Sequence, residues 1–293
     1  MKSFLAIIIL LIVATVSNAQ HSGNAVYGNN ASQYHNPEAK KLYLSDSTFL
    51  IEAHLLVNTI ADSYVATIGV SDTSTSLKES DDRINKRIKG FIATLSKFGI
   101  KQQDIYVDMT TQTKVYDYTL KHNYAQQYVK GYEIKKNVII RFKNIADLEN
   151  MMIEAANFNI YDLTKVDYVV NDLEKINTEL FKLATDVINR KKEMYVMATN
   201  CKLNQASQIY GEDYYSYYPQ QLYKTYIAEA STDISSEDVS QFIKRDLQKP
   251  TTVYYDKIDY SGFDKIINPE ITEPAIEFGL TLQIKFQIEK GKQ

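Results

Sequence analysis

Hydrophobic residues recur at every second position of "AIEFGLTLQIKFQIE" near the C-terminus: Ile276, Phe278, Leu280, Leu282, Ile284, Phe286 and Ile288 share one face, and Glu277, Thr281, Gln283, Lys285, Gln287 and Glu289 the other. A period of two sets one strand face on a core and the other in water. That pattern belongs to an antiparallel sheet covered on one side, because doubly covered parallel strands read as unbroken apolar runs. Near the start, "FLIEAHLLV" (49–57) and "SYVATIGV" (63–70) are β-prone runs joined by the polar link 58–62, which predicts a hairpin.

Helical spacing follows. Ser76-x-x-Glu79 has the form of a capping box; Leu77, Ile84, Ile88, Phe91, Leu95 and Phe98 form an apolar stripe that Gly99 ends. "DIYVDMTTQTKVY" and "GYEIKKNVIIRF" alternate as two antiparallel strands with a loose polar connection, "LKHNYAQQ". Asn144 is placed to cap a short helix carrying Leu148, Met151, Met152 and Ala155, and "LTKVDYVV" continues as a strand to Val170. Asn171-x-x-Glu174 then opens a third helix, whose stripe from Ile176 through Leu180, Ala184, Val187, Met194 and Met197 extends to Cys201. On this reading Cys201 and the methionines are core filler. The expected class is α+β: an antiparallel sheet with helices on one face, and a split βαβ-like core. An N-terminal hairpin strand and a C-terminal long helix with further strands extend that core.

The first residues read differently. "MKSFLAIIILLIVATVSNAQ" joins Lys2 to an apolar run from Phe4 to Val16 and ends in Ser17-Asn18-Ala19, so residues 1–19 are expected to be a signal peptide cleaved before Gln20. The run is shorter than the ~20 residues of a membrane span, so no transmembrane segment is expected in the mature chain. A periplasmic or secreted location follows. Residues 20–48 are polar and aperiodic, a leader containing His21 and His35.

Composition narrows the function classes. With 44% hydrophobic and 24% charged residues the chain is an ordinary globular protein, and a net charge of −3 without a dense basic cluster makes nucleic acid a poor partner. One cysteine rules out an intramolecular disulfide. His54, in mid-strand, and His122, in the polar link, are the histidines of the folded region; neither belongs to a catalytic, zinc-binding or nucleotide-binding pattern. Ten glycines in 293 residues leave few phosphate-cradling loops. No enzyme activity, cofactor or metal is expected.

Several segments resemble the SIMPL-domain family, exported bacterial proteins that include periplasmic immunogenic and oxidative-stress-defence proteins. "NTIADSYVATIGVS" is similar to the family opening, with Asp62 ahead of the strand. Leu95, Gly99, Ile100, Asp104 and Ile105 fit its L-x-x-x-G-I-x-x-x-D-I segment. Gly131, Tyr132, Asn137 and Val138 resemble its G-Y-x-x-x-N-x-V segment, with Asn137 displaced by one position. The resemblance covers roughly 49–210 and 274–289. It implies a SIMPL-like domain over 49–289 and offers no catalytic residues. Departures are the absence of a proline before Asp62, and Val187 and Lys191 where the family tends to carry alanine.

The remainder, about 211–273, reads as an insertion that starts with "YGEDYYSYYPQQLYKTY", seven tyrosines in residues 210–226. Tyr214, Tyr215, Tyr217, Tyr218, Tyr223 and Tyr226 are the candidate site residues. Tyrosine joins a large apolar area to a polar tip, which suits packing within the domain, a subunit interface or stacking on a ligand. These expectations describe a non-enzymatic envelope protein acting through self-assembly as a homo-oligomer or through an envelope protein partner, with a stress-related role. The alternative is a binding module for an envelope glycan or small ligand.

Overall fold

The computed structural model describes residues 44–45, 48–121, 124–226, 229–238, 241–248 and 252–289. The expected signal peptide, His21, His35 and His122 lie outside those residues. In chain order the elements are β1 (Leu44–Ser45), β2 (Thr48–Thr59), β3 (Ser63–Ser74), α1 (Leu77–Thr94), β4 (Ile105–Lys121), β5 (Tyr124–Phe142), α2 (Asp147–Ala156) and β6 (Asp162–Val169). Then follow α3 (Leu173–Thr199), β7 (Leu203–Tyr217), β8 (Tyr223–Tyr226), β9 (Glu229–Asp238), β10 (Gln241–Gln248), β11 (Thr252–Tyr255), β12 (Lys265–Ile267) and β13 (Ile276–Ile288). They fall into two compact units. Among the described residues one holds 44–221 and 259–289, and the other Leu222–Ile258.

The larger unit has two sheets. In the first the order is β4-β5-β3-β6, antiparallel throughout. This is the strand order of a split βαβ core, with α1 and α2 as its crossovers. In the second the order is β1-β2-β13-β7, with β12 parallel to β2. The α+β class therefore holds, with one correction inside it. The expected hairpin of 49–57 with 63–70 does not form: β2 pairs with β13, more than 200 positions away, and β3 pairs with β5 and β6. Asp62 fixes the passage from one sheet to the other. Its N–H donates to Val169 O (2.9 Å), and its carboxylate accepts the Asn171 N–H (2.8 Å).

Helix α1 forms as its spacing predicts. Ile84, Ile88 and Phe91 are buried, Leu95 begins a 3-10 turn, and Gly99 ends it in the left-handed region at φ 71°. Ser76 sits at the N-cap position without a side-chain cap bond; Ser74 Oγ instead donates to Glu79 (2.6 Å) and accepts the Ser76 N–H (3.3 Å). At α3 the cap is Asp172 rather than Asn171, its carboxylate accepting the Lys175 N–H at 2.9 Å. The 27-residue helix is ~40 Å long. Its buried residues are Leu180, Ala184, Val187 and Ile188, all in the first two thirds. Beyond them Met197 is 81% exposed, and Cys201 lies half-buried past the left-handed Asn200. The buried stripe thus stops short of the cysteine, because the helix runs past the sheet it covers.

β2 and β13 are buried on both faces over 53–58 and 276–282. Phe49 packs on Tyr195 of α3 (5.5 Å between rings), so the odd-numbered β2 residues face the helix. The opposite face, expected to be wet, carries the buried Glu277, Thr281, His54 and Asn58.

The smaller unit pairs β8 with β11 and β9 with β10, both antiparallel. Within it Lys224 and Asp256 form an ion pair.

Candidate functional site

Strand β7 carries the first part of the tyrosine stretch and distributes it over two faces. Residues 211–217 pair with β13, from Gly211↔Gln283 to Tyr217↔Glu277, so they complete a core sheet. Tyr214 points to the α3 side. With Glu174, Asn177, Thr178 and Phe181 it lines an open cleft of about 500 Å³, its hydroxyl 3.4 Å from Asn177 O. Burial, and then Glu212, push its phenol up from the ordinary value. Tyr215 and Tyr217 share the other face, with rings 5.9 Å apart and tilted by 62°. Burial raises the Tyr215 phenol further still. Tyr218 packs against the core, and Gln221 Oε1 accepts its backbone N–H (3.0 Å).

Tyr223 and Tyr226 belong to β8 in the smaller unit. Tyr223 meets Tyr255 at 5.7 Å; Tyr226 pairs with Thr252 through the backbone. The six candidate tyrosines are therefore divided between the two units, and those of β7 between two strand faces. Strand alternation brings Tyr215 and Tyr217 onto one face, and Tyr214 and Tyr218 share no helix.

Behind Tyr215 lies a buried polar row. His54 Nδ1 is 3.1 Å from Thr281 Oγ1, and its Nε2 is 3.4 Å from Glu52 Oε2, whose other oxygen accepts from Gln283 Nε2 (3.0 Å). A hydroxyl, an imidazole and a carboxylate in that sequence are the parts of an activated nucleophile. Here, however, His54 and Thr281 are 7% and 5% exposed, and they face each other across paired strands. What they supply is cross-strand bonding that satisfies polar groups in the sheet. Next along the row, Asn58 Nδ2 donates to Tyr260 Oη (2.9 Å) and Asn268 O (3.1 Å).

The surface that sequence reading missed is the β4–β5 hairpin. β3 pairs with β5 only as far as Ser74↔Tyr132, whereas β4 and β5 stay paired out to Lys121↔Tyr124. The segment read as a polar link is therefore mostly strand. Past Tyr132 the ribbon displays Tyr116, Tyr118, Leu120, Tyr124, Tyr128 and Val129, all exposed. The signal for it was present in the alternation of Tyr116, Tyr118 and Leu120.

A family model described as a protein of unknown function (DUF541), named SIMPL, matches residues 56–251. The chain belongs to the SIMPL family. No curated protein matches it. The residues that carry the SIMPL resemblance have scaffold duties in this fold. Asp62 joins the two sheets as described, and Gly99 supplies the left-handed stop. Asp104 accepts from Arg141 Nη2 (2.6 Å), which holds its carboxyl below the usual carboxylate range. A Cβ on Gly131 would fall 2.5 Å from Ser74 O, so only glycine lets β5 pass the point where the chain leaves β3. Asp62, Gly99, Asp104 and Arg141 also line a polar groove of about 560 Å³ at one end of the first sheet. Among the described residues no helix is long and apolar enough to cross a membrane, and no group of His, Cys, Asp and Glu is placed to hold a metal ion.

Proposed function

We propose that this SIMPL protein is exported to the cell envelope and works without catalysis, through self-assembly or by binding an envelope protein, in a role connected with stress. The observation that carries the reading is the β4–β5 ribbon: a scaffold whose motif residues maintain its shape holds out exposed aromatic and aliphatic side chains. Soluble monomers rarely display such a patch unless it meets a partner. The apolar run Phe4–Val16 followed by Ser17-Asn18-Ala19 supports export. Sedimentation of the purified chain across a wide concentration range tests assembly. Mass increasing with concentration is the expected result, and a monomer at every concentration, with no envelope protein recovered by cross-linking in cells, would refute the reading.

A second reading is favoured by the cleft at Tyr214. One aromatic ring beside the polar groups of Glu174, Asn177 and Thr178 suits stacking on a sugar or a small polar ligand. Titration with envelope oligosaccharides, followed by tyrosine fluorescence, tests it. A response that disappears in Tyr214→Ala supports binding there, and no response to any glycan rejects it.

A further inference from the structure

We infer that two copies of this chain pack arm to arm, through the side of the β4–β5 ribbon that continues the α1-covered face of its sheet. The inference rests on the self-assembly reading above and assigns it a surface.

On β5, Ile134, Val138 and Ile140 are buried on one side, the side from which Lys136 reaches Asp81 and Asn85 of α1 (both 2.8 Å). Gln112 pairs with Ile134, so the even-numbered residues of β4 from Gln112 onward lie on that side. Helix α1 starts at Leu77, just after β3 ends beside Tyr132, and the ribbon runs on for ~20 Å beyond it. Along that length the α1 side presents Tyr116, Tyr118 and Leu120 opposite Val129, Gln127 and Ala125. None carries a charge. Tyr118 is 62% exposed and Leu120 83%.

The other side of the ribbon has a different composition. It pairs Asp117 with Lys130 (2.8 Å) and bears Thr119 and Gln126 beside Tyr124 and Tyr128. A side built for water and a side built like a core are back to back, and a two-stranded ribbon alone is only marginally stable in water.

A second copy is the occupant this stripe suits. An uncharged stripe gives a charged partner nothing to pair with, whereas against its own two-fold image its apolar side chains meet apolar ones. Gln127, in the middle, has a carboxamide that both donates and accepts, so two copies of it satisfy each other across the axis. Taking about 150–250 Å² for a whole aromatic side chain, the exposed parts of the stripe on two copies amount to on the order of 1,000 Å², the lower bound for a specific interface.

The test compares three forms of the chain by sedimentation: the natural sequence, Y118K/L120E on the stripe, and T119E/Y124S on the charged side. The inference predicts that the natural chain self-associates, that the stripe variant is weakened roughly tenfold or more, and that the charged-side variant stays near the natural chain. Far-ultraviolet circular dichroism is expected to be the same for all three. As an independent measurement, Gln127→Cys in a Cys201→Ser background should form a dimer-linking disulfide on mild oxidation. Undiminished association of the stripe variant, together with no disulfide at 127, overturns the arm pairing and leaves self-assembly standing through another surface. A monomeric natural chain overturns both.

Discussion

The ring of Tyr215 lies over Gly279 on the neighbouring strand, so close that a Cβ on the glycine would sit 2.1 Å from Tyr215 Cε2 and 2.2 Å from its Cζ. An aromatic ring on one strand thus fills the space above a side-chain-free position on the next. This contact assigns Tyr215 to the packing of its own domain.

Gly279→Ala is accordingly expected to lower stability by about 1–3 kcal/mol, the usual cost of overpacking, read as a shift in the urea midpoint at constant slope. Because the clash is with Tyr215, the loss should shrink in a Tyr215→Ala background, a coupling that a double-mutant cycle measures. An unchanged midpoint for Gly279→Ala would mean that the ring is free in solution and open to a partner.

Burial also sets a pH dependence. The phenols of Tyr64, Tyr214, Tyr215 and Tyr260 are all raised above the ordinary 10.0, with burial the largest cause in each. The folded state then holds these protons more tightly than the unfolded chain does, so their contribution is fully present below pH 10.0 and is lost as pH rises above it. Thermal midpoints measured through the alkaline range should fall there. The tyrosinate absorbance of these four residues should develop above pH 10.0.

Local patterns were well resolved in the sequence, and distant pairing was not. The stripe of Ile84, Ile88 and Phe91 and the alternation of β13 each lie within one element, where period alone identifies a helix or a strand and its apolar side. The false hairpin has the opposite origin. A short link between two β-prone runs favours pairing them, yet each run has partners supplied by remote segments, and nothing near residues 49–70 reports them. The burial of Glu277 and Thr281 was hidden for a related reason: polar alternation reads as a wet face, whereas here that face is covered, with Thr281 Oγ1 3.1 Å from His54 Nδ1. As for the tyrosines, their number drew attention to 210–226, where strand alternation disperses them, and away from Tyr116 and Tyr118 on the ribbon.

The divided stripe of α3 gives a paired prediction. Ile188 is fully buried, so Ile188→Ala should cost about 2–5 kcal/mol. Met197→Ala, at a position 81% exposed, should change stability by no more than about 0.5 kcal/mol. Cys201 lies past the helix and half-buried, so a thiol reagent should modify it without unfolding. Labelling only after denaturation would place it back in a core.

Lys191, one of the departures from the family's alanine pattern, ties α3 to the second sheet. Its Nζ is 2.5 Å from Asp264 Oδ1 and donates to Glu52 O at 2.8 Å. Asp264 is itself bonded to the middle of β2: its Oδ2 accepts the His54 N–H, and its own N–H donates to His54 O, both at 2.8 Å. Removing the lysine leaves the carboxylate with its backbone donor, while removing the aspartate leaves a strand N–H and a cation both short of an acceptor. The two side chains are about one-fifth exposed, so solvent moderates the cost below that of breaking a fully buried pair. Lys191→Met is therefore expected to lose about 1 kcal/mol and Asp264→Ala about 2 kcal/mol, with the double variant near the aspartate variant alone because both act on one network. Urea unfolding of the three variants decides it. If Lys191→Met costs as much as Asp264→Ala, the bond from the His54 N–H to the Asp264 carboxylate adds nothing, and the side-chain tie is an ion pair alone.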